Sequence, residues 1–115
     1  MAKKSPFISL NEIPEKETIP GYRVRLVHTK NLTMAYYDVK AGSPFPEHSH
    51  PNEQVTNVVR GKFELVVEGE SRILTVGDVA VIPSGARHYG KAITDCRIID
   101  VFHPVREDYV NRFID

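Results

Sequence analysis

The amino-acid sequence predicts an all-β fold, either a sandwich or a barrel of short strands, followed by one short helix. Apolar and polar residues alternate along residues 22–26 and, less strictly, along residues 63–68, as they do in strands with one buried face. Turn-forming residues recur roughly every eight to twelve positions, a spacing typical of antiparallel β domains. No long helical pattern precedes residue 104. These observations favour strands for most of the chain.

The length indicates one domain. The chain has 115 residues, of which 41% are hydrophobic, and a chain of this size can bury a single core without disulfides. We expect residues 1–115 to form one domain with a lead-in segment (1–21), a barrel (22–103) and a short helix or tail (104–115). Residues 11–20 are polar and contain two prolines, which predicts an irregular lead-in.

Two local elements can be predicted in more detail. Gly69-Glu70 lies between two strand-like runs and predicts a two-residue hairpin turn, because glycine adopts positive φ at low cost. Near the C-terminus, Tyr109, Val110, Phe113 and Ile114 share one face at helical spacing. Acidic residues precede them, where they suit a helix dipole. The alternative for this last stretch is a strand end followed by a frayed tail.

Charge and cysteine content exclude several classes of function. Fifteen Lys and Arg residues balance fifteen Asp and Glu residues, so no basic surface for nucleic acid or an anionic membrane is expected. Apolar runs are too short to span a bilayer. The single cysteine, Cys96, fits a reducing compartment, and the cytoplasm is the expected location.

The first specific feature is the pair His48-Ser49-His50. Residues two apart on a strand point to the same face, so this pair presents two imidazoles side by side. Such a pair can bind a metal, although surface His-x-His pairs also occur by chance. A metal site therefore needs further ligands elsewhere in the sequence.

Two glycine-bounded blocks supply these ligands. The first reads Gly42, five residues, His48-x-His50, three residues, Gln54, six residues, Gly61, and the second reads Gly77, five residues, Pro83-x-Gly85, two residues, His88. With fifteen residues between them, the blocks resemble the two motifs of the cupin family. The resemblance implies a double-stranded β-helix (jelly-roll) barrel. It also implies a divalent transition metal inside the barrel, bound by His48, His50, Gln54 and His88.

The fourth ligand departs from the family pattern, which usually has glutamate where this chain has Gln54. Glu53 immediately precedes it, and adjacent strand residues face opposite ways, so only one of the two can point inward. The spacing favours Gln54. Imidazole ligands suit Ni, Mn, Fe, Co, Zn or Cu, so the residue types do not select the metal.

A second cluster follows the last predicted strand. Asp100 and Phe102 share a face with Ile98, so an inward Ile98 places an aspartate inside the barrel, where it must be paired or used. The alternative is an edge-strand aspartate in solvent. The run Asp100-x-Phe102-x-Pro104-x-Arg106-Glu107-Asp108 resembles a subgroup of small cupins that open the ring of 4,5-unsaturated uronates. The resemblance implies that Asp100, Phe102 and Arg106 line the active site.

Three functions are compatible with these motifs. The first is a metal-dependent, non-redox isomerase or lyase-like enzyme that acts on a small anionic substrate such as an unsaturated uronate. The second is a cupin dioxygenase, and the third is a non-catalytic cupin that binds a small molecule. Small cupins usually pair, and residues 5–10 alternate enough to add a strand, so we expect a homodimer.

Overall fold

Ten strands, one 3₁₀ turn and one α-helix lie within residues 5–113, the part of the chain that the computed structural model describes. The elements in chain order are the 3₁₀ turn Leu10–Glu12, β1 (Lys16–Ile19), β2 (Tyr22–His28), β3 (Thr33–Val39), β4 (Pro44–His48), β5 (Glu53–Arg60), β6 (Phe63–Val67), β7 (Glu70–Leu74), β8 (Val79–Ile82), β9 (His88–Ala92), β10 (Cys96–His103) and α1 (Glu107–Arg112). The all-β prediction and the C-terminal helix are confirmed.

The strands form two antiparallel sheets. The larger sheet has the order β1-β2-β3-β10-β5-β8, and the smaller has the order β4-β9-β6-β7. Aromatic contacts join the sheets, since the ring of Tyr22 in the larger sheet packs edge-on against Phe45 and Phe63 of the smaller one. This two-sheet jelly roll is the architecture implied by the motifs.

Register determines what faces the interior of the larger sheet. One row consists of Tyr37, Ile98 and Val58, which are all buried and apolar. The next row holds Asp100 and Thr56 between two alanines, Ala35 and Ala80, and the third contains Thr33, Phe102, Gln54 and Ile82. The second and third rows therefore bring polar side chains, Asp100, Thr56 and Gln54, to the interior, where they line a cavity between the sheets.

Three details differ from the predictions. Residues 16–19 of the lead-in form β1, which pairs with β2, because Gly21 takes a positive φ of 88° and allows the chain to reverse direction. The hairpin turn is Glu68-Gly69, one residue earlier than predicted, and both residues have positive φ. The helix buries Tyr109 as expected, whereas Ile114 lies outside the described residues.

Within residues 5–113, no helix combines the length and the apolar composition needed to cross a membrane.

Candidate metal centre

Three histidines converge at one mouth of the barrel. His48 ends β4 and pairs in register with His88, which begins β9, while His50 follows in the loop between β4 and β5. The ring centroids of His48 and His88 are 4.1 Å apart, and those of His50 and His88 are 5.1 Å apart. One nitrogen from each ring lies within 4.8 Å of the others, close enough for all three to bind one metal ion.

Backbone carbonyls set the orientation of all three rings. Nδ1 of His48 lies 2.8 Å from the carbonyl oxygen of Pro46, and Nδ1 of His88 lies 2.9 Å from that of Ala86. Nδ1 of His50 lies 3.0 Å from the carbonyl oxygen of Asn52. When Nδ1 donates to a carbonyl, the lone pair of a neutral imidazole is on Nε2, and this arrangement is typical of histidine metal ligands.

Burial keeps these imidazoles neutral. It lowers the pKa of His48 to about 4 and also lowers the pKa values of His50 and His88. The positive charge of Arg106 lowers all three further. Neutral rings can offer their lone pairs to a cation at physiological pH.

Gln54 faces the histidines and Glu53 faces solvent. Oε1 of Gln54 is 3.0 Å from Nε2 of His50, and its Nε2 donates to Oγ1 of Thr56 at 2.9 Å. A neutral His50 has one N–H, yet both of its ring nitrogens lie against oxygen atoms, so only one contact can use that proton. A cation at Nε2 and Oε1 would satisfy both acceptors.

The donor set therefore fits a divalent transition metal. Nε2 of His88 is buried and has no hydrogen-bond partner among the described residues, as expected of a nitrogen kept for a metal. Three imidazoles and one amide oxygen are neutral ligands. They suit several first-row metals and leave the full charge of the ion in the cavity.

Asp100 lies deeper in the same cavity and is buried rather than placed at a solvent-exposed edge. Burial raises its pKa to about 6, against the opposing effects of hydrogen bonds with Thr56 and Gln54 and of the positive charge of Arg106. No donor among the described residues reaches its Oδ1. This carboxyl group can hold or release a proton near neutral pH.

Arg106 places a buried guanidinium in the same cavity. Nε and Nη2 donate to the carboxylate of Asp108 at 2.9 and 2.6 Å, which lowers the pKa of Asp108. The guanidinium carbon is 3.9 Å from the ring centroid of Tyr109 and 4.8 Å from that of Phe102. Asp108 occupies one edge of the guanidinium, so the Nη1–Nη2 edge can still bind an anion in a bidentate manner.

Phe102 packs against other residues of the site. It is 2% exposed, and its ring packs edge-on against His50 and Tyr109, at centroid distances of 5.6 and 6.0 Å. It therefore holds one ligand histidine and the arginine in place, and it also lines the cavity.

The cavity between the sheets opens to solvent at the mouth. Every residue predicted for the site lines it except His50, whose ring borders the same mouth. The motifs did not identify Thr56, Tyr37 or Tyr109, which also line it. Thr56 could have been found, since it shares a strand face with Gln54. His28 and His103, the two histidines outside the motifs, are exposed.

Comparison with known proteins agrees with this architecture. Residues 35–102 match the family described as Cupin domain. The pectin degradation protein KdgF of Dickeya dadantii is 29% identical over 103 residues, which are 87% of this chain and 94% of that protein. The structure of KdgF from Halomonas sp. superposes with a TM-score of 0.84 at 31% identity, over 91% of this chain and 98% of that one. An RmlC-like cupin from Shewanella frigidimarina gives a TM-score of 0.87 at 27% identity, over 96% and 100% of the two chains. The family match and the shared fold show that this chain belongs to the cupin family and is a small cupin similar to KdgF.

Proposed function

We propose that this protein is a metal-dependent, non-redox enzyme that opens the ring of 4,5-unsaturated monouronates to give linear keto forms. The observation that carries the proposal is the placement of Asp100, whose buried Oδ1 has no hydrogen-bond partner among the described residues, in one cavity with His48, His88 and Arg106. The similarity to the pectin degradation protein KdgF supports the choice of substrate class.

Arg106 would bind the carboxylate of the substrate. Its guanidinium is held by Asp108 on one edge and by the rings of Tyr109 and Phe102 on its faces, so the free edge is oriented before the substrate arrives. A fixed guanidinium binds a planar carboxylate through two parallel hydrogen bonds. Arg106 and a divalent ion together carry more positive charge than Asp100 and Asp108 carry negative charge, which favours an anionic substrate.

Ring opening needs proton transfer and no change of oxidation state. The proton on the anomeric hydroxyl leaves, the bond between C1 and the ring oxygen breaks, and the anomeric carbon becomes a carbonyl. The enol electrons then form the keto group at C5 while C4 takes up a proton. Substrate and product have the same atoms, so the reaction is an isomerisation.

Asp100 is suited to move these protons. Its pKa of about 6 lets it act as a base in one step and as an acid in the other at neutral pH. A bound divalent metal, held by His48, His50, His88 and Gln54, would act as a Lewis acid toward substrate oxygens. The metal can be Ni, Mn, Fe, Co, Zn or Cu, because imidazole accepts them all.

The test is turnover without oxygen. Metal-loaded protein is incubated anaerobically with 4,5-unsaturated galacturonate, and loss of the ultraviolet absorbance of the substrate is followed. We expect acceleration over buffer and no oxygen requirement. No acceleration at full metal occupancy would exclude this function, and oxygen uptake with a phenolic or diketone substrate would support a dioxygenase instead. Binding of uronate without conversion would indicate a non-catalytic cupin.

We further propose that the protein is a homodimer. The outer face of the larger sheet carries Val79 and Val81, at 54% and 62% exposure, beside the half-buried Val55, Ile99 and Val101. Exposed apolar surface of this kind is typical of protein interfaces. The segment 5–9 forms no strand in its own chain, and its Phe7 is 87% exposed, so it is available to a second copy. The free, buried thiol of Cys96 fits the proposed cytoplasmic location.

A further inference from the structure

Asn52 lies in the loop that follows the first two histidines and is 4% exposed. A buried side-chain amide must find partners for its polar atoms, so its contacts show what the residue holds in place. These contacts run in two directions, toward the metal-site histidines and toward Arg106.

Backbone carbonyls of this loop accept hydrogen bonds from residues at the metal site. The carbonyl oxygen of Asn52 accepts from Nδ1 of His50 at 3.0 Å. The neighbouring carbonyl of Pro51 accepts from Oγ of Ser84 at 2.6 Å, and that of His50 accepts from the backbone N–H of Gly85 at 2.9 Å. The position of residues 50–52 therefore sets the orientation of His50 relative to the turn that precedes His88.

The side chain of Asn52 reaches the segment before Arg106. Its Nδ2 donates to the carbonyl oxygen of Pro104 at 2.5 Å and contacts that of Val105 at 3.3 Å. The next backbone N–H, that of Arg106, donates to the buried Oγ1 of Thr33 at 2.9 Å. Asn52 and Thr33 thus fix the backbone from which the guanidinium extends.

We propose that Asn52 is a positioning residue that sets the distance between the metal-site histidines and the carboxylate-binding edge of Arg106. The proposal rests on the proposed function in that Arg106 binds the substrate. An amide suits this role because one NH₂ group can serve two carbonyls while the residue's own carbonyl accepts from the imidazole.

The test compares Asn52→Asp with Asn57→Asp. The first change places a carboxylate oxygen against two carbonyl oxygens. Asn57 makes a similar bond, from Nδ2 to the carbonyl oxygen of Ile99 at 3.2 Å, but it lies in β5 and does not line the cavity. If Asn52→Asp does not fold, Asn52→Ala removes the donor without adding charge, and Asn57→Ala becomes its control.

Two readouts do not depend on activity. Co²⁺ affinity, followed by visible absorption, should weaken roughly tenfold in the Asn52 variant. The NMR signal of the Arg106 Nε–H, shifted by the rings of Tyr109 and Phe102, should move and exchange faster with solvent. The Asn57 variant should leave both unchanged. Wild-type values of both readouts in the Asn52 variant would overturn the proposal, as would equal changes in the two variants.

A kinetic readout separates this inference from the proposed function. If the wild type opens unsaturated uronate, Asn52→Asp should raise KM roughly tenfold with a smaller change in kcat. In an Arg106→Gln background, Asn52→Asp should cause no further rise in KM. A further tenfold rise in KM in that background would overturn the proposal. If the wild type converts no uronate, the proposed function fails, and the Co²⁺ and NMR readouts still decide the role of Asn52.

Discussion

Each face of the larger sheet carries a few residues that are unusual for that side of a sheet. The inner face places Gln54, Thr56 and Asp100 in the barrel, whereas the outer face exposes Val79 and Val81. A buried carboxyl group destabilises a fold unless it is paired or hydrogen-bonded, and a solvent-exposed valine contributes little hydrophobic stabilisation. The two departures correspond to the two proposed contacts, a ligand on the inner face and a second copy on the outer face.

The predicted effect is largest at Asp100. We expect Asp100→Asn to lower kcat by roughly 10²–10⁴-fold, because an amide cannot transfer the proton. Metal content should stay at the wild-type level, since Asp100 is not a proposed ligand. Asp38→Asn, on the opposite side of the sheet in an exposed ion pair with Arg97, is the control. Kinetics with elemental analysis measure both effects, and full activity in Asp100→Asn would remove the proton-transfer role.

Removing a ligand histidine should have the next largest effect. We expect His88→Ala to weaken metal binding by more than the roughly 10–100-fold that is typical for the loss of an outer-shell partner. His103→Ala, an exposed histidine beyond the cavity, should bind metal as the wild type does. Titration with Co²⁺ distinguishes the two variants. Equal affinities in them would contradict a site built on His88.

A smaller difference is expected between Gln54 and Glu53, which lie on opposite faces of β5. Gln54→Ala should lower the bound metal because it removes the oxygen next to His50, whereas Glu53→Ala should not. Elemental analysis after dialysis against limiting metal gives the comparison. The assignment of Gln54 as fourth ligand fails if the two variants retain the same amount.

A substitution on the outer face of the larger sheet is expected to have the smallest effect on the stability of the single chain. Val81→Lys should change the unfolding free energy of a single chain by about 0.5 kcal/mol or less, because Val81 is 62% exposed. In a dimer, however, the same lysine would bury a charge at the interface. We therefore expect sedimentation equilibrium to give twice the chain mass of 13.0 kDa for the wild type and a lower mass for the variant. A wild-type mass of one chain would rule out the dimer.

The sequence predicts which residues form the site better than it predicts the hydrogen bonds and ion pairs that these residues make. The spacing of His48, His50 and His88 predicts convergence, and the structure brings the three together. The expectation that His48 and His50 share a strand face is wrong, since β4 ends at His48 and His50 lies in the following loop. Alternation along β5 separates Gln54 from Glu53. Alternation is a local rule, and it holds at this end of β5, where the strand pairs with β8 and β10 without a register shift.

Local sequence patterns could not predict the long-range contacts of the site. Two examples are the ion pair between Asp108 and Arg106 and the bonds from Asn52 to residues 104–105, which depend on how the tail returns to the barrel. The sequence does not predict β1 because the segment is polar and the flanking Pro14 and Pro20 favour a loop, whereas pairing with β2 overrides that preference. The formation of β1 and the contacts of the C-terminal tail therefore depend on tertiary structure rather than on local sequence.

The central claim is that the polar inner face combines a metal with a carboxylate-binding arginine in one cavity. Anomalous diffraction from crystals soaked with Ni²⁺ and galacturonate tests it most directly. We predict one anomalous peak bonded to Nε2 of His48, His50 and His88 and to Oε1 of Gln54, with the sugar carboxylate on the free edge of Arg106. A metal bound elsewhere, or a carboxylate away from Arg106, would contradict the account.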